Sequence, residues 1–307
     1  MYTYPYVNGA GQDLSASDVH HFLKTPSLVA RRVADLSRER FIADYLLSGR
    51  YSAESGSVGW LVDDGLYTAD DLRTIAPGGD YPLTTAAEGT PEEARVEKEG
   101  QDAEITDESI KALLMDPVEK TLRKQVNRTV SRVDSKALAV IGSEVTATHQ
   151  GSAWTSVEAV VEDIMTARAK VTGLDLGLET DTVVLSDLQF AKVAALLVKA
   201  DVIARGLVSE VMRTGVMTDV LGLNWAQSSH VPFSDPLLLD REQLGGIATQ
   251  NLGSPGYVRV NGSLGIETKV WRPTDSDRDL WRLRVRRVGV AVVTEPRAGI
   301  RITGTGI

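Results

Sequence analysis

Apolar residues recur at spacings of three and four over one unusually long stretch: Ile110, Leu114, Val118, Leu122, Val126, Val130, Val133 and Ala137. That period keeps one face of an α-helix apolar and predicts a helix from Asp107 to Ile141, about 50 Å long at about 1.5 Å per residue. Thr106 stands ahead of it as N-cap, and Asp107 and Glu108 place acids in the first turn, where the helix dipole favours them. Pro117 is expected to bend or interrupt the helix near Asp116. On periodicity alone, a bundle or coiled-coil helix fits as well.

A helical pattern runs from about Ser17 to Leu47 and breaks near Pro26, with Val29, Val33, Leu36, Ile42 and Leu46 recurring at spacings of three, four and six. A Gly/Ser segment (Gly49 to Gly59) and Trp60-Leu61-Val62 follow. These apolar positions are too few for a separate core, so the segment reads as an arm with one short helix. Beyond Gly142 the pattern becomes mixed. Thr155-x-x-Glu158 reads as a capping box for a helix from Val157 to Lys170 closed by Gly173, and Ser186-x-x-Gln189 caps a second helix through Val198. Thr182 to Leu185 reads as a buried strand, Gly215 to Val231 as a strand pair, and Asp235 to Asn251 as a further strand and loop. In the tail, Trp271 precedes a turn at Asp275 to Asp279. Trp281, Leu283 and Val285 then alternate with Arg282, Arg284 and Arg286, which puts three guanidinium groups on one strand face. Val288 to Val293 continues as a more buried strand, broken by Pro296 and Gly299 before Ile300-Arg301-Ile302.

Between Ile75 and Ser109 the apolar pattern nearly vanishes. From Asp80 to Glu108 ten acids face two bases, a net of −8. A loop of this length inside a domain is uncommon and usually functional or disordered. Tyr81-Pro82-Leu83 and Ala94 to Lys98 suit two strands of an extended hairpin around Gly89-Thr90-Pro91. Such a hairpin is too polar to bury itself and needs a partner surface. From Lys269 to Arg301 nine bases face four acids, a net of +5, so the two regions are complementary. The candidates for contacts between subunits are Glu92, Glu93, Glu97, Lys98 and Glu99 on the loop, and Arg123, Lys124, Arg128, Arg132, Arg282, Arg284 and Arg286 on the long helix and tail strand.

At 307 residues the chain can form one large domain or two smaller ones, each with a core. It has no cysteine, which excludes disulfides, thiolate catalysis and cysteine metal sites and suits an intracellular folding environment. A net charge of −9 and a pI near 5.1 argue against a dedicated nucleic-acid binder. The first residues lack a signal-peptide pattern and no long apolar run occurs, so a soluble protein with no membrane partner is expected. The sequon-like Asn127-Arg-Thr129 and Asn261-Gly-Ser263 then have no glycosylation role. No GxxxxGK[ST], complete GxGxxG, GxSxG or HExxH occurs, which counts against an enzyme. His20, His21, His149 and His230 show no ligand spacing and are expected on the surface or in loops. Asp275, Asp277 and Asp279 begin like a calcium loop, but Leu280 and Arg286 replace its glycine and its twelfth-position glutamate. No catalytic, cofactor-binding or metal residue is assigned.

Taken in order, several segments resemble the major capsid proteins of tailed bacteriophages with the Hong Kong 97 type fold, particularly those of phages infecting actinobacteria. They are LSRERFIADYLLSG (36–49), IAPGGDYPL (75–83), VEKEGQDAEITDESI (96–110), TVVLSDLQFAKVAAL (182–196), TGVMTDVLGLNWAQSSHVP (214–232) and LRVRRVGVAVVTEPRAGIRITG (283–304). The resemblance implies an α+β fold with an N-arm and lead-in (1–75), an extended E-loop hairpin (76–107), a peripheral domain carrying a long spine helix (108–150 and 265–307) and an axial domain (151–264). It implies self-assembly as hexamers and pentamers into an icosahedral head around double-stranded DNA, bound non-specifically, with assembly in the host cytoplasm. The partners it implies are further copies of the chain, a portal protein, a decoration protein and either a separate scaffolding protein or none, and it implies no cofactor. An encapsulin-like compartment shell is the alternative within the fold, and an uncharacterised α/β enzyme is the alternative from another class. Some family members crosslink an E-loop lysine to a peripheral-domain asparagine. Lys98 is the one lysine between Asp80 and Glu108 and no asparagine occurs from Gly265 to Ile307, so a shell without crosslinks is expected.

Overall fold

A computed structural model describes residues 15–37, 41–62, 72–81, 83–84, 89–200, 220–260, 265–274 and 279–307. The polar start of the chain, Pro82, Gly215 to Asp219, Asn261 and the Asp275-to-Asp277 part of the tail turn lie outside them.

Three helices open the chain where an arm with one short helix is expected. Ser15 caps α1 (Ala16–Lys24) in a reciprocal box with Asp18. The proline that breaks the pattern starts α2 (Pro26–Ser37), a position where its missing N–H costs nothing. The third, α3 (Ile42–Leu46), has no side-chain cap of its own. The buried carboxylate of Asp134 supplies one from afar, accepting the Ala43 N–H at 3.0 Å. Burial pushes the Asp134 carboxyl up, against the opposing pull of the Ala43 and Ile42 N–H groups. These helices lacked a core in sequence because their partners lie far along the chain.

Strands β1 (Gly49–Ser52) and β2 (Ser57–Val62) follow, then β3 (Thr90–Arg95) and β4 (Glu97–Thr106). The hairpin differs from expectation. The described residues Tyr81 and Leu83 are not in a strand, and β3 pairs antiparallel with β2, from Ser57↔Arg95 to Val62↔Thr90. The apolar, β-branched Ser-Val-Gly-Trp-Leu-Val run suits a strand better than Tyr-Pro-Leu, whose proline lacks a ladder donor. The long helical pattern is interrupted where Pro117 implies. Thr106 caps α4 (Asp107–Leu113), Leu114 turns out at φ +52°, and α5 (Asp116–Glu144) resumes with Pro117 in its first turn.

The remaining elements are β5 (Thr148–Gln150), α6 (Val157–Thr172), β6 (Thr182–Leu185), α7 (Asp187–Lys199), β7 (Asn224–Gln227), β8 (Leu237–Leu239), β9 (Gly245–Thr249), β10 (Val258–Arg259), β11 (Ile266–Trp271), β12 (Leu280–Val293) and β13 (Gly299–Thr303). Ser156, not Thr155, caps α6, accepting from the Ala159 N–H. Ser186 and Gln189 form the expected box on α7. His149 is buried, not on the surface: it sits on β5 with Lys170 Nζ 3.0 Å from Nδ1 and Asp163 3.8 Å from Nε2.

One sheet has the order β1-β9-β12-β11-β10, with β4 also paired to β12; residues 282–287 pair with β11 on one edge and with β4 on the other. The second sheet runs β5-β13-β8-β6-β7. Two cores result. In the first, Val19, Phe22, Val29 and Val33 of α1 and α2 meet Val118, Leu122 and Val126 of α5 and Trp281, Leu283 and Val285 of β12. In the second, Val133, Leu138 and Ile141 of α5 meet α3, α6, α7 and the second sheet. Each fully buried aliphatic side chain contributes about 1.5–3 kcal/mol, and α5 supplies such residues to both cores.

Candidate functional site

The expected basic strand and acidic loop do meet, within one chain. The β4–β12 register sets Arg282 opposite Glu104 and Arg284 opposite Asp102, since strand residues two apart share a face. Arg284 grips Asp102 with both branches of its fork, at 2.5 and 2.6 Å, and its remaining nitrogen donates to the Tyr257 hydroxyl at 3.0 Å. The Arg284 fork holds the Asp102 carboxyl below the usual carboxylate range. Arg282 donates from Nε and Nη2 to a single oxygen of Glu104, Oε1.

Arg286 departs from this series because Gly100 stands opposite it. A Cβ on Gly100 would lie 2.8 Å from the Arg286 Cβ, so the close approach of the two strands requires glycine. Arg286 turns to the other edge and donates to Glu267 of β11 at 2.7 Å, with both side chains 4% exposed. The Tyr257 ring covers it at 3.5 Å. Trp271 lies between Lys269 and Arg284, 5.4 and 5.1 Å from its ring centre.

On the other side of Gly100, the first residues of β4 reach α5. Glu99 meets Arg132 at 3.0 Å and Lys136 at 2.5 Å, and Glu97 also meets Lys136. Burial alone would raise the Glu99 carboxyl, but hydrogen bonds from Lys136 and Arg132 outweigh it and hold the group low. The same carboxylates outweigh the effect of burial on Lys136 and raise its ammonium.

Of the expected contact residues, Glu97, Glu99, Arg132, Arg282, Arg284 and Arg286 therefore have partners inside the chain. Glu92, Glu93, Lys98, Arg123, Lys124 and Arg128 are exposed, and among the described residues no ion pair reaches them. Sequence reasoning missed Lys136, although it lies one turn beyond Arg132 on the same face. It counted Asp102 and Glu104 without pairing them. Sliding the i, i+2 acids of β4 along the i, i+2 arginines of β12 would have found that match.

A family model described as phage capsid protein matches residues 89–302, well over half of the chain. The chain belongs to the phage capsid protein family. It is a major capsid protein, a class that self-assembles into capsid shells. No curated protein matches it. Among solved structures, the capsid of cyanophage P-SCSP1u superposes at a TM-score of 0.62 with 12% identity, covering 87% of this chain and 89% of that one. Microbacterium phage Oxtober96 gives 0.57, 12%, 86% and 91%, and Mycobacterium phage Che8 gives 0.54, 12%, 87% and 92%. At such identities the likeness carries the fold, which is of the Hong Kong 97 type. The two actinobacteriophages match the expectation from sequence. The ladder of β4 on β12 and α5 anchors the root of the acidic segment to the rest of the subunit.

Proposed function

We propose that this major capsid protein closes icosahedral heads of hexamers and pentamers around double-stranded DNA, acting structurally and without catalysis of its own. The observation that carries the reading is the loop between β2 and β4. Tyr81 is 87% exposed and Leu83 94%, beside exposed Glu92 and Glu93. Large apolar side chains with almost no cover inside their own subunit fit a segment whose binding surface belongs to another copy.

In this reading the first sheet and most of α5 form the peripheral domain, and the second sheet with α6 and α7 forms the axial domain around the capsomer centre. Residues 72–95 act as the E-loop, and the segment before β1 acts as the N-arm. A portal protein, a separate scaffolding protein and a decoration protein complete the assembly, which takes place in the host cytoplasm. Lys98, exposed at the loop root, stays unlinked.

Expression of the full chain with scaffold, followed by light scattering and negative-stain imaging, should give closed shells or capsomers. A monomer with residues 72–95 ordered on its own surface would refute the reading. Boiling mature particles in detergent should release one band near 33 kDa, and a surviving ladder of multimers would disprove the absence of crosslinks.

A further inference from the structure

The chain's own contacts show how it matches acids to bases, and the match is incomplete. Glu97 and Glu99, two apart on a strand and so about 6.8 Å apart, sit on Arg132 and Lys136, four apart on a helix and so about 6 Å apart. The helix side of this ladder continues toward the start of α5 with Arg128, Lys124 and Lys120 at the same spacing, and Arg123 beside them, all exposed. The strand side stops. β4 is paired with β12 throughout, and beyond Glu99 its α5 side carries Gln101 and Ala103, while its next acids, Asp102 and Glu104, lie on the opposite face and go to Arg284 and Arg282. A notch of about 260 Å³ lies between β4 and α5, lined by Arg128, Arg132, Gly100 and Arg287 and by Glu99, whose carboxylate is already engaged by Arg132 and Lys136. Burial lowers the Arg287 guanidinium against the opposing pull of Glu99, Asp134 and Glu97.

The loop acids without an ion pair among the described residues are Asp80, Glu92, Glu93 and Glu108, and two of them stand together on β3. Five of the loop's ten, namely Glu97, Glu99, Asp102, Glu104 and Asp107, have ion pairs inside the chain. Glu92 and Glu93 on β3 are exposed, with no ion pair among the described residues. Unmatched acids on a protruding strand and unmatched bases on a helix of the same chain are complementary across two copies.

We infer that the notch between β4 and α5, with Arg128 and Lys124 leading to it, is a carboxylate socket that receives Glu92 or Glu93 from the hairpin of a neighbouring copy and continues the strand-on-helix ladder begun by Glu97 and Glu99. This rests on the capsid-shell reading and adds the partner residues to it. The loop acids then divide into those from Glu97 to Asp107 that fasten the loop to its own subunit and the pair, Glu92 and Glu93, that offers a contact to the next.

The cysteine-free chain gives a direct test. The Glu92→Cys/Arg128→Cys variant, assembled and oxidised, should run as a ladder of multimers on a non-reducing gel and collapse to one band on reduction. Shells that form but run only as monomers overturn the socket and leave the shell reading intact. Wild-type protein that never assembles overturns that reading instead. If the cysteine variant does not assemble, charge exchange decides. Glu92→Lys/Glu93→Lys alone and Lys124→Glu/Arg128→Glu alone should each lose particles, and the four changes together should restore them. Loss without restoration overturns the pairing. Intact particles in the first variant, with DNA retention lost only in the second, would assign the helix face to nucleic-acid phosphates and refute the socket.

Discussion

The root and the tip of the loop have nearly the same composition and opposite circumstances. At the root, Asp102, Glu104 and Glu99 each face a base of the same chain, and β4 holds ten register positions on β12. At the tip, β3 has one partner strand, and Glu92 and Glu93 face solvent. Acidity alone therefore does not mark an intersubunit contact. The informative residues are the acids left over after the chain has matched its own.

Breaking the root from within should have the largest effect. Arg286→Ala leaves Glu267 buried without its counter-charge, which costs about 3–5 kcal/mol; denaturant unfolding of unassembled subunits should show the lowered midpoint. Arg286→Met with Glu267→Gln should recover most of it. A loss under about 1 kcal/mol in the single variant would mean that this buried pair matters no more than a surface one.

Gly100→Val comes next. Its side chain must enter the 2.8 Å approach to Arg286, and overpacking of this kind costs about 1–3 kcal/mol. Thermal unfolding measures the loss, and faster hydrogen exchange confined to β4 and β12 would locate it at the root. The same change at the tip, Gly59→Val, meets only the Glu92 carbonyl at 3.5 Å and should cost far less.

Acid should separate the two regions more weakly. The folded-state carboxyls of Asp102 and Glu99 lie below their ordinary values of 3.8 and 4.5. Their contribution is therefore complete above about pH 4.5 and is lost as pH falls below that range through the depressed values. Asp134, raised by burial, acts in the opposite sense: its cost appears as pH rises from the ordinary carboxyl range to its raised value, so acid relieves it. Melting temperature against pH should drop more steeply for wild type than for Asp102→Asn below pH 4.5; parallel curves would refute the assignment. The smallest effect belongs to the tip. Glu92→Gln with Glu93→Gln should change unassembled-subunit stability by no more than about 0.5 kcal/mol, whatever it does to shells.

Much of the fold was legible because its signals are local. The period from Ile110 to Ala137, the Pro117 break, the Ser186 box and the alternation from Trp281 to Arg286 all lie in windows of a few turns or one strand. What escaped depends on distant partners. Nothing near Ser57 indicates that it pairs with Arg95, and the α1 and α2 stripes gained meaning only against α5 and β12. Thr155 and Ser156 offer adjacent hydroxyls, and backbone geometry, not residue type, selects the second. At the site, residue types were readable, but which acid takes which base is a matter of register, and sequence does not display register. The α5 bases that stay unmatched could be identified only by subtraction.

The two cores share one helix, and this bears on how the subunit melts. Unfolding the first core would strip the cover from Val118, Leu122 and Val126, and unfolding the second would expose Val133, Leu138 and Ile141 on the same α5. Neither half of a continuous 29-residue helix can lose its packing without weakening the other. The calorimetric and van't Hoff enthalpies of the unassembled subunit should therefore agree, as for a single cooperative unit, although the chain folds around two separate hydrophobic centres.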